Sequence, residues 1–212
     1  MERRELIDDL VSDLAPVRRV PLPAQGSGLW LLGAWAIVTA MTLATGSMRP
    51  GVVGQLIASP HFLLESLLGL SVGAAASYGA LRLATPGPEP TAARVGPGLV
   101  LAGLWFAVLA YGLVDPALEP SMVGKRPHCF VETFVYSIPP LALAFAMLRR
   151  RAALQTGWTG ALAGLAAAAV PALMMEWACM YDPMHILTMH MSPVPVIAII
   201  AAMLGMRLLP RI

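Results

Sequence analysis

The stretch GWTGALAGLAAAAVPALMMEWAC, residues 157–179, decides the architecture. It carries a single charged residue, Glu176, and its apolar residues run continuously instead of alternating. A helix needs roughly 20 residues to cross about 30 Å of hydrocarbon. Five further runs of similar length lie at 28–46, 61–83, 97–114, 129–148 and 187–208. The whole chain agrees with them: of its 212 residues 58% are hydrophobic and 12% charged. Soluble domains average about 45–50% apolar and about 25% charged. That balance excludes a soluble enzyme, a DNA-binding module and a disordered tail. In lipid every backbone polar group must be satisfied within the span, which leaves helices or closed barrels. Continuous runs select helices. The expected fold is an all-α polytopic membrane protein, a bundle of six transmembrane helices with a short amphipathic helix at its N-terminus.

Proline and glycine mark the joints. Pro21, Pro23, Gly26 and Gly28 read as a linker, so residues 1–26 form an N-terminal helix and linker and 27–212 the six-helix membrane domain. Five acids precede the first run and no small-residue cleavage site follows it, which does not fit a secretory signal. Arg149-Arg150-Arg151 makes a tight basic turn between spans four and five. Of the 14 Lys and Arg residues, all but Arg49, Lys125 and Arg126 fall on the side of the two termini. The positive-inside rule then places both termini in the cytoplasm. Gly69-x3-Gly73 and Gly160-x3-Gly164 read as close-approach patterns between helices. Trp30, Trp35, Trp105, Trp158 and Trp177 read as interfacial anchors.

This topology gathers the reactive side chains on the outer side. Cys129 opens span four and Cys179 closes span five; His61, His128, His185 and His190 share that side. The two cysteines lie equally far, 25 residues, from Leu154 in the connecting turn, so an antiparallel helix pair brings them to one depth. Glu132 and Glu176 each lie one turn deeper than their cysteine, and Glu65 lies one turn inside span two. Carboxylates within a span are costly and mark a cavity or a partner. Thiolates backed by carboxylate and imidazole suit a zinc- or cadmium-like ion. An oxidising compartment suits a reversible disulfide equally well. The candidate metal or redox site is Cys129 and Cys179, with Glu132, Glu176, His128, His185 and His190 around them. No constitutive cofactor is expected, only a transient metal ion.

The opposite side offers a different signal. Residues 2–14, ERRELIDDLVSDL, place Leu6, Ile7, Leu10, Val11 and Leu14 on one helical stripe and Asp8, Asp9 and Asp13 away from it. An isolated helix this short is marginal in water and needs a partner. Its acidic face disfavours anionic lipid and favours a protein groove with a basic rim, the alternative being a helix packed on the protein's own cytoplasmic loops.

Several motifs together resemble the NrsF family, over nearly the whole length. They are ELIDDLVSDLAPVRRVPLP (5–23), PHFLLESLLGL (60–70), Cys129, RRRAALQTGWTGALAGLAAA (149–168), Cys179 and the late His190. Members often carry an aromatic residue before that histidine, where this chain has Met189. The resemblance implies a negative regulator of an extracytoplasmic-function sigma factor. Such an anti-sigma factor holds its sigma factor at the cytoplasmic face and releases it on stress. It further implies that a cysteine pair, here Cys129 and Cys179, senses heavy metals. The expected partners are a cytoplasmic sigma factor and membrane lipid, with no direct nucleic-acid contact and no enzymatic activity. The alternative is a small transporter or channel subunit with an outer-face Cys/Glu/His metal site. A quinone-linked thiol oxidoreductase normally needs two dithiol pairs, and one is present.

Overall fold

The computed structural model describes residues 3–12 and 20–210. Six helices are long and apolar enough to cross a membrane: Pro23–Thr45, Pro60–Leu83, Thr91–Tyr111, Cys129–Leu148, Thr156–Ala178 and Pro183–Leu208, here spans 1 to 6. They correspond one for one to the six apolar runs, and the described residues contain no strand. The chain is an all-α, multi-pass membrane protein.

Two boundaries differ from the sequence reading. Span 1 starts at Pro23, so Gly26 and Gly28 belong to the helix and not to a linker. Proline suits a first helical turn, because it has no N–H to leave unsatisfied and its φ is already helical. A Cβ on Gly26 would stand 3.1 Å from Leu81 and 3.4 Å from Arg151, so this glycine serves close packing. Span 3 starts at Thr91 and includes Pro97. Its first turn is held by Arg94, which donates to the carbonyls of Arg82 (3.0 Å) and Thr85 (3.1 Å) and pairs with Glu89. A short helix that the sequence reading did not anticipate, Val52–Ala58, fills the loop between spans 1 and 2.

Span 5 is the core. Of its most apolar stretch 89% is buried by the other helices, against 22% for span 1. Its glycines allow this. A Cβ on Gly164 would fall 2.5 Å from that of Ala201, and one on Gly160 would strike the Ala201 carbonyl of span 6. Gly69 instead admits the Trp105 ring, 2.8 Å from where its Cβ would be, while Gly73 has only ordinary contacts.

Spans 4 and 6 are irregular where they approach the outer end. Span 4 divides into Cys129–Tyr136 and Ile138–Leu148. Pro139 and Pro140 cannot donate to the preceding turn, and the helix re-forms only after Ser137. Span 6 contains a π stretch, Ile186–Met191, closed by a bond from Ser192 N–H to the Leu187 carbonyl (3.1 Å) just before Pro193.

The tryptophans correct an expectation. Trp30 and Trp105 are buried, and Trp177 stacks on Trp35 at 5.4 Å while donating to Ser66. Only Trp158 of the five is exposed. Small neighbours such as Gly69 make room for an indole between helices, so these rings pack instead of anchoring at the interface.

Candidate functional site

The turn after Leu148 returns the chain so that spans 4 and 5 run antiparallel, and their far ends carry the two cysteines. Both thiols are free and buried, with Sγ atoms 2.9 Å apart. The Nε2 of His185 lies 3.4 Å from Cys179 Sγ. The His190 ring meets that of His185 edge-on at 5.1 Å. His190 is fully buried and neither of its ring nitrogens has a hydrogen-bond partner. One ligand atom from each of Cys129, Cys179, His185 and His190 lies within 4.8 Å of the others.

The π stretch assembles this set. Five residues along an α-helix turn a side chain by about 140°. The wider π turn brings residues five apart onto one side, and such bulges recur at functional sites. Asp182 fixes the start of the segment: its Oδ1 accepts from the His185 N–H at 2.7 Å, and Pro183 follows in the first helical position.

The two sulfurs have different neighbours. Cys179 Sγ has Cys129 Sγ at 2.9 Å and His185 Nε2 at 3.4 Å, and the Cys129 thiol donates to the Arg126 carbonyl at 3.4 Å. Two thiols and two imidazoles are a tetrahedral donor set for a zinc-like ion. A cavity of about 310 Å³ bordered by Lys125, His128, Cys129, Val131, His185 and Met189 leads to them from outside.

The remaining expected residues lie near this set but outside it. His128 is exposed at the cavity rim. Glu132 turns to Arg126, with contacts of 2.8 and 3.1 Å to Nε and Nη2. Glu176 is fully buried, and neither carboxylate oxygen has a hydrogen-bond partner. Glu65 accepts from the Tyr181 hydroxyl (3.3 Å) and faces His61 at 3.7 Å. Glu132 therefore sits apart with Arg126, whereas Glu65 and Glu176, on different helices, lie close to each other and share Arg49 and Tyr181 as neighbours.

Two arginines counted in the sequence only as outer-face charge prove to be structural centres. Arg126 is buried and donates to Glu132, to Thr45 Oγ1 (2.6 Å) and to the Ser47 carbonyl (3.3 Å). Glu132 raises its pKa above the ordinary value. Arg49 is buried between the rings of Phe62 and Tyr181, at 5.3 and 5.8 Å, and donates to the Cys179 carbonyl at 3.1 Å. Its signal in the sequence was its rarity, a cation beside intramembrane acids on a cation-poor face.

At the N-terminus, Arg3–Ser12 is helical as expected for residues 2–14. Ile7, Val11 and Asp8 are exposed. The side chains of Leu6, Asp9 and Leu10, and all of Asp13 and Leu14, lie outside the described residues.

The same cysteines, late histidine and six-span order fall inside one family match. The family model for NrsF, negative regulator of sigma F, matches residues 10–210. The chain belongs to the NrsF family. It is also similar to the carotenogenesis protein CarR of Myxococcus xanthus, with 32% identity over 202 residues, covering 92% of this chain and 81% of that protein. No solved structure matches the chain. As an NrsF member it is a negative regulator of a sigma factor, and a sigma factor is its partner.

Proposed function

We propose that this NrsF protein holds its sigma factor at the cytoplasmic face of a bacterial inner membrane and releases it when Cys129 and Cys179 take up a heavy-metal ion or are oxidised. The N-terminal helix supplies the grip: Leu6, Ile7, Leu10, Val11 and Leu14 dock in an apolar groove, and Asp8, Asp9 and Asp13 meet its basic rim. On this reading the segment before Pro23 is the binding arm and the six spans from Pro23 onward are the sensor. The observation that carries the sensing half is the convergence of Cys129, Cys179, His185 and His190 within 4.8 Å. His185 and His190 complete the coordination of a zinc- or cadmium-like ion, supplying the borderline nitrogen donors beside two soft sulfurs. Oxidation would use the same pair without the histidines. Glu132, Glu176 and His128 take no ligand position here. The protein carries no constitutive cofactor and performs no catalysis.

Two experiments test the halves separately. Pull-down of the solubilised protein should recover the sigma factor at one-to-one stoichiometry, and Leu10→Asp with Leu14→Asp should abolish recovery. Unchanged recovery would sink the docking assignment. Cys129→Ser with Cys179→Ser should keep sigma binding and lose the response to cadmium. A double variant that still responds would remove the cysteines from sensing.

A transport role finds less support. The space between Trp30, Ser77, Ala80 and Ala163 is only about 10 Å³. The larger cavity of about 610 Å³ between spans 3, 5 and 6 is lined almost wholly by apolar side chains such as Trp105, Leu162, Leu165 and Val194, with no charged group among its described residues to carry an ion.

A further inference from the structure

The sensor and the binding arm stand at opposite ends of the bundle, and one helix reaches both. Span 1 ends at Thr45, which reaches Cys129 through Arg126, and begins at Pro23, directly after the arm in sequence. At its outer end it is gripped on behalf of both cysteines. Arg126 accepts from the Cys129 thiol through its own carbonyl (3.4 Å) and donates to Thr45 Oγ1 (2.6 Å). Arg49, four residues past the end of span 1, donates to the Cys179 carbonyl. Tyr136, the last residue of the half-helix that Cys129 opens, shares a 2.5 Å hydrogen bond with Thr45.

The tie to span 4 continues inward. Trp30 Nε1 donates to the Pro140 carbonyl at 3.0 Å, just past the break at Ser137. At the inner end Arg151, in the turn that joins the two cysteine-bearing helices, donates to the Pro21 carbonyl at 2.6 Å and to Thr85 Oγ1 at 3.1 Å. Span 1 is thus fastened to span 4 or a loop flanking it at its outer end, at its middle and at its root, while Ser27 bonds Ser77 of span 2 (2.6 Å) and Trp35 stacks on Trp177 of span 5. Span 5, buried along most of its length, cannot shift without disturbing every neighbour; span 1, mostly exposed to lipid, can.

We propose that span 1 is the element that carries the state of the cysteine pair to the N-terminal arm, with Arg126, Trp30 and Arg151 as the positioning residues that couple it to span 4. This rests on the sensing reading given above. A cation drawing both sulfurs to itself takes Cys129 Sγ from the Arg126 carbonyl. The half-helix Cys129–Tyr136 then pivots at Ser137, and span 1 follows through Thr45 and Trp30. Its root moves against Arg151, and the arm changes its presentation to the sigma factor.

The test uses the full chain in lipid nanodiscs with the sigma factor bound and Cd²⁺ as the probe. Hydrogen–deuterium exchange over residues 3–30, sigma release and protection of the two thiols from alkylation are read together. In the unsubstituted protein Cd²⁺ should protect the thiols and raise exchange over 3–30. In Trp30→Phe and in Arg151→Gln it should still protect the thiols, while the exchange response disappears and release falls by about tenfold. Arg126→Gln combined with Glu132→Gln should behave in the same way without leaving a buried carboxylate unpaired. Unaltered exchange over 3–30 in the unsubstituted protein, despite protected thiols, overturns the proposal. So does a full response in both Trp30→Phe and Arg151→Gln. A shift over 3–30 without sigma release would refute the sensing reading instead and leave the route through span 1 standing.

Discussion

Spans 1 and 5 have the same length and the same mean hydropathy, yet 22% of one and 89% of the other is buried. Apolarity therefore does not choose the core of a membrane bundle. Lipid tails are as apolar as leucine, so no hydrophobic drive pulls one helix inward over another. Packing chooses instead. Span 5 is built of Gly160, Gly164 and the run Ala166–Ala169, small residues along which spans 6 and 2 pack most closely. Span 1 turns Leu29, Leu32 and Leu43 outward, where lipid fills the space between them. A small-residue core beside a peripheral helix that is held at discrete points and otherwise exposed is also the arrangement in which one element moves while the rest keeps its shape.

This contrast can be broken. Gly160→Leu should have the largest effect, because the added side chain strikes the Ala201 backbone and neither helix can yield; a loss of about 3 kcal/mol or more is expected in detergent unfolding. Next comes Arg126→Ala, which leaves Glu132 nearly buried without its cation. About 3 kcal/mol should be lost, and restoring charge balance with Glu132→Gln should recover much of it. The smallest effect belongs to span 1 itself. Nothing lies within 4 Å of the place where a Gly28 Cβ would be, so Gly28→Leu should leave the unfolding midpoint within about 0.5 kcal/mol of the unsubstituted protein. A large loss there would mean that span 1 is packed against a second protein in the membrane.

Much of the site was legible. Equal spacing of Cys129 and Cys179 from the turn placed their sulfurs at one depth, and they meet there. That argument works because helix rise is constant and the turn is short. His190 was harder to place. Counted along an α-helix it faces away from His185, and only the π stretch turns it back. Its trigger, the Pro193–Val194–Pro195 sequence that withholds N–H donors, is visible in the chain, but where the ladder slips depends on what the helix packs against. Glu132 shows the limit from the other side. Its spacing from Cys129 fitted a ligand, and the guanidinium of Arg126, on a preceding loop with no fixed geometry in the sequence, claimed it.

The sequence by itself determined the six spans, their order, the side on which thiols and imidazoles gather, and the acidic character of the N-terminal helix. These follow from local rules: span length, the ban on unpaired backbone in lipid, and the reversal of direction at each turn, which brings alternate helix ends together. Only the tertiary structure decided that span 5 is the core, that Arg126 and Arg49 hold the end of span 1, and that two of the four histidines reach the cysteines. Each of those depends on which helix lies opposite, and a contact between residues some 50 to 130 positions apart has no signature in either segment alone.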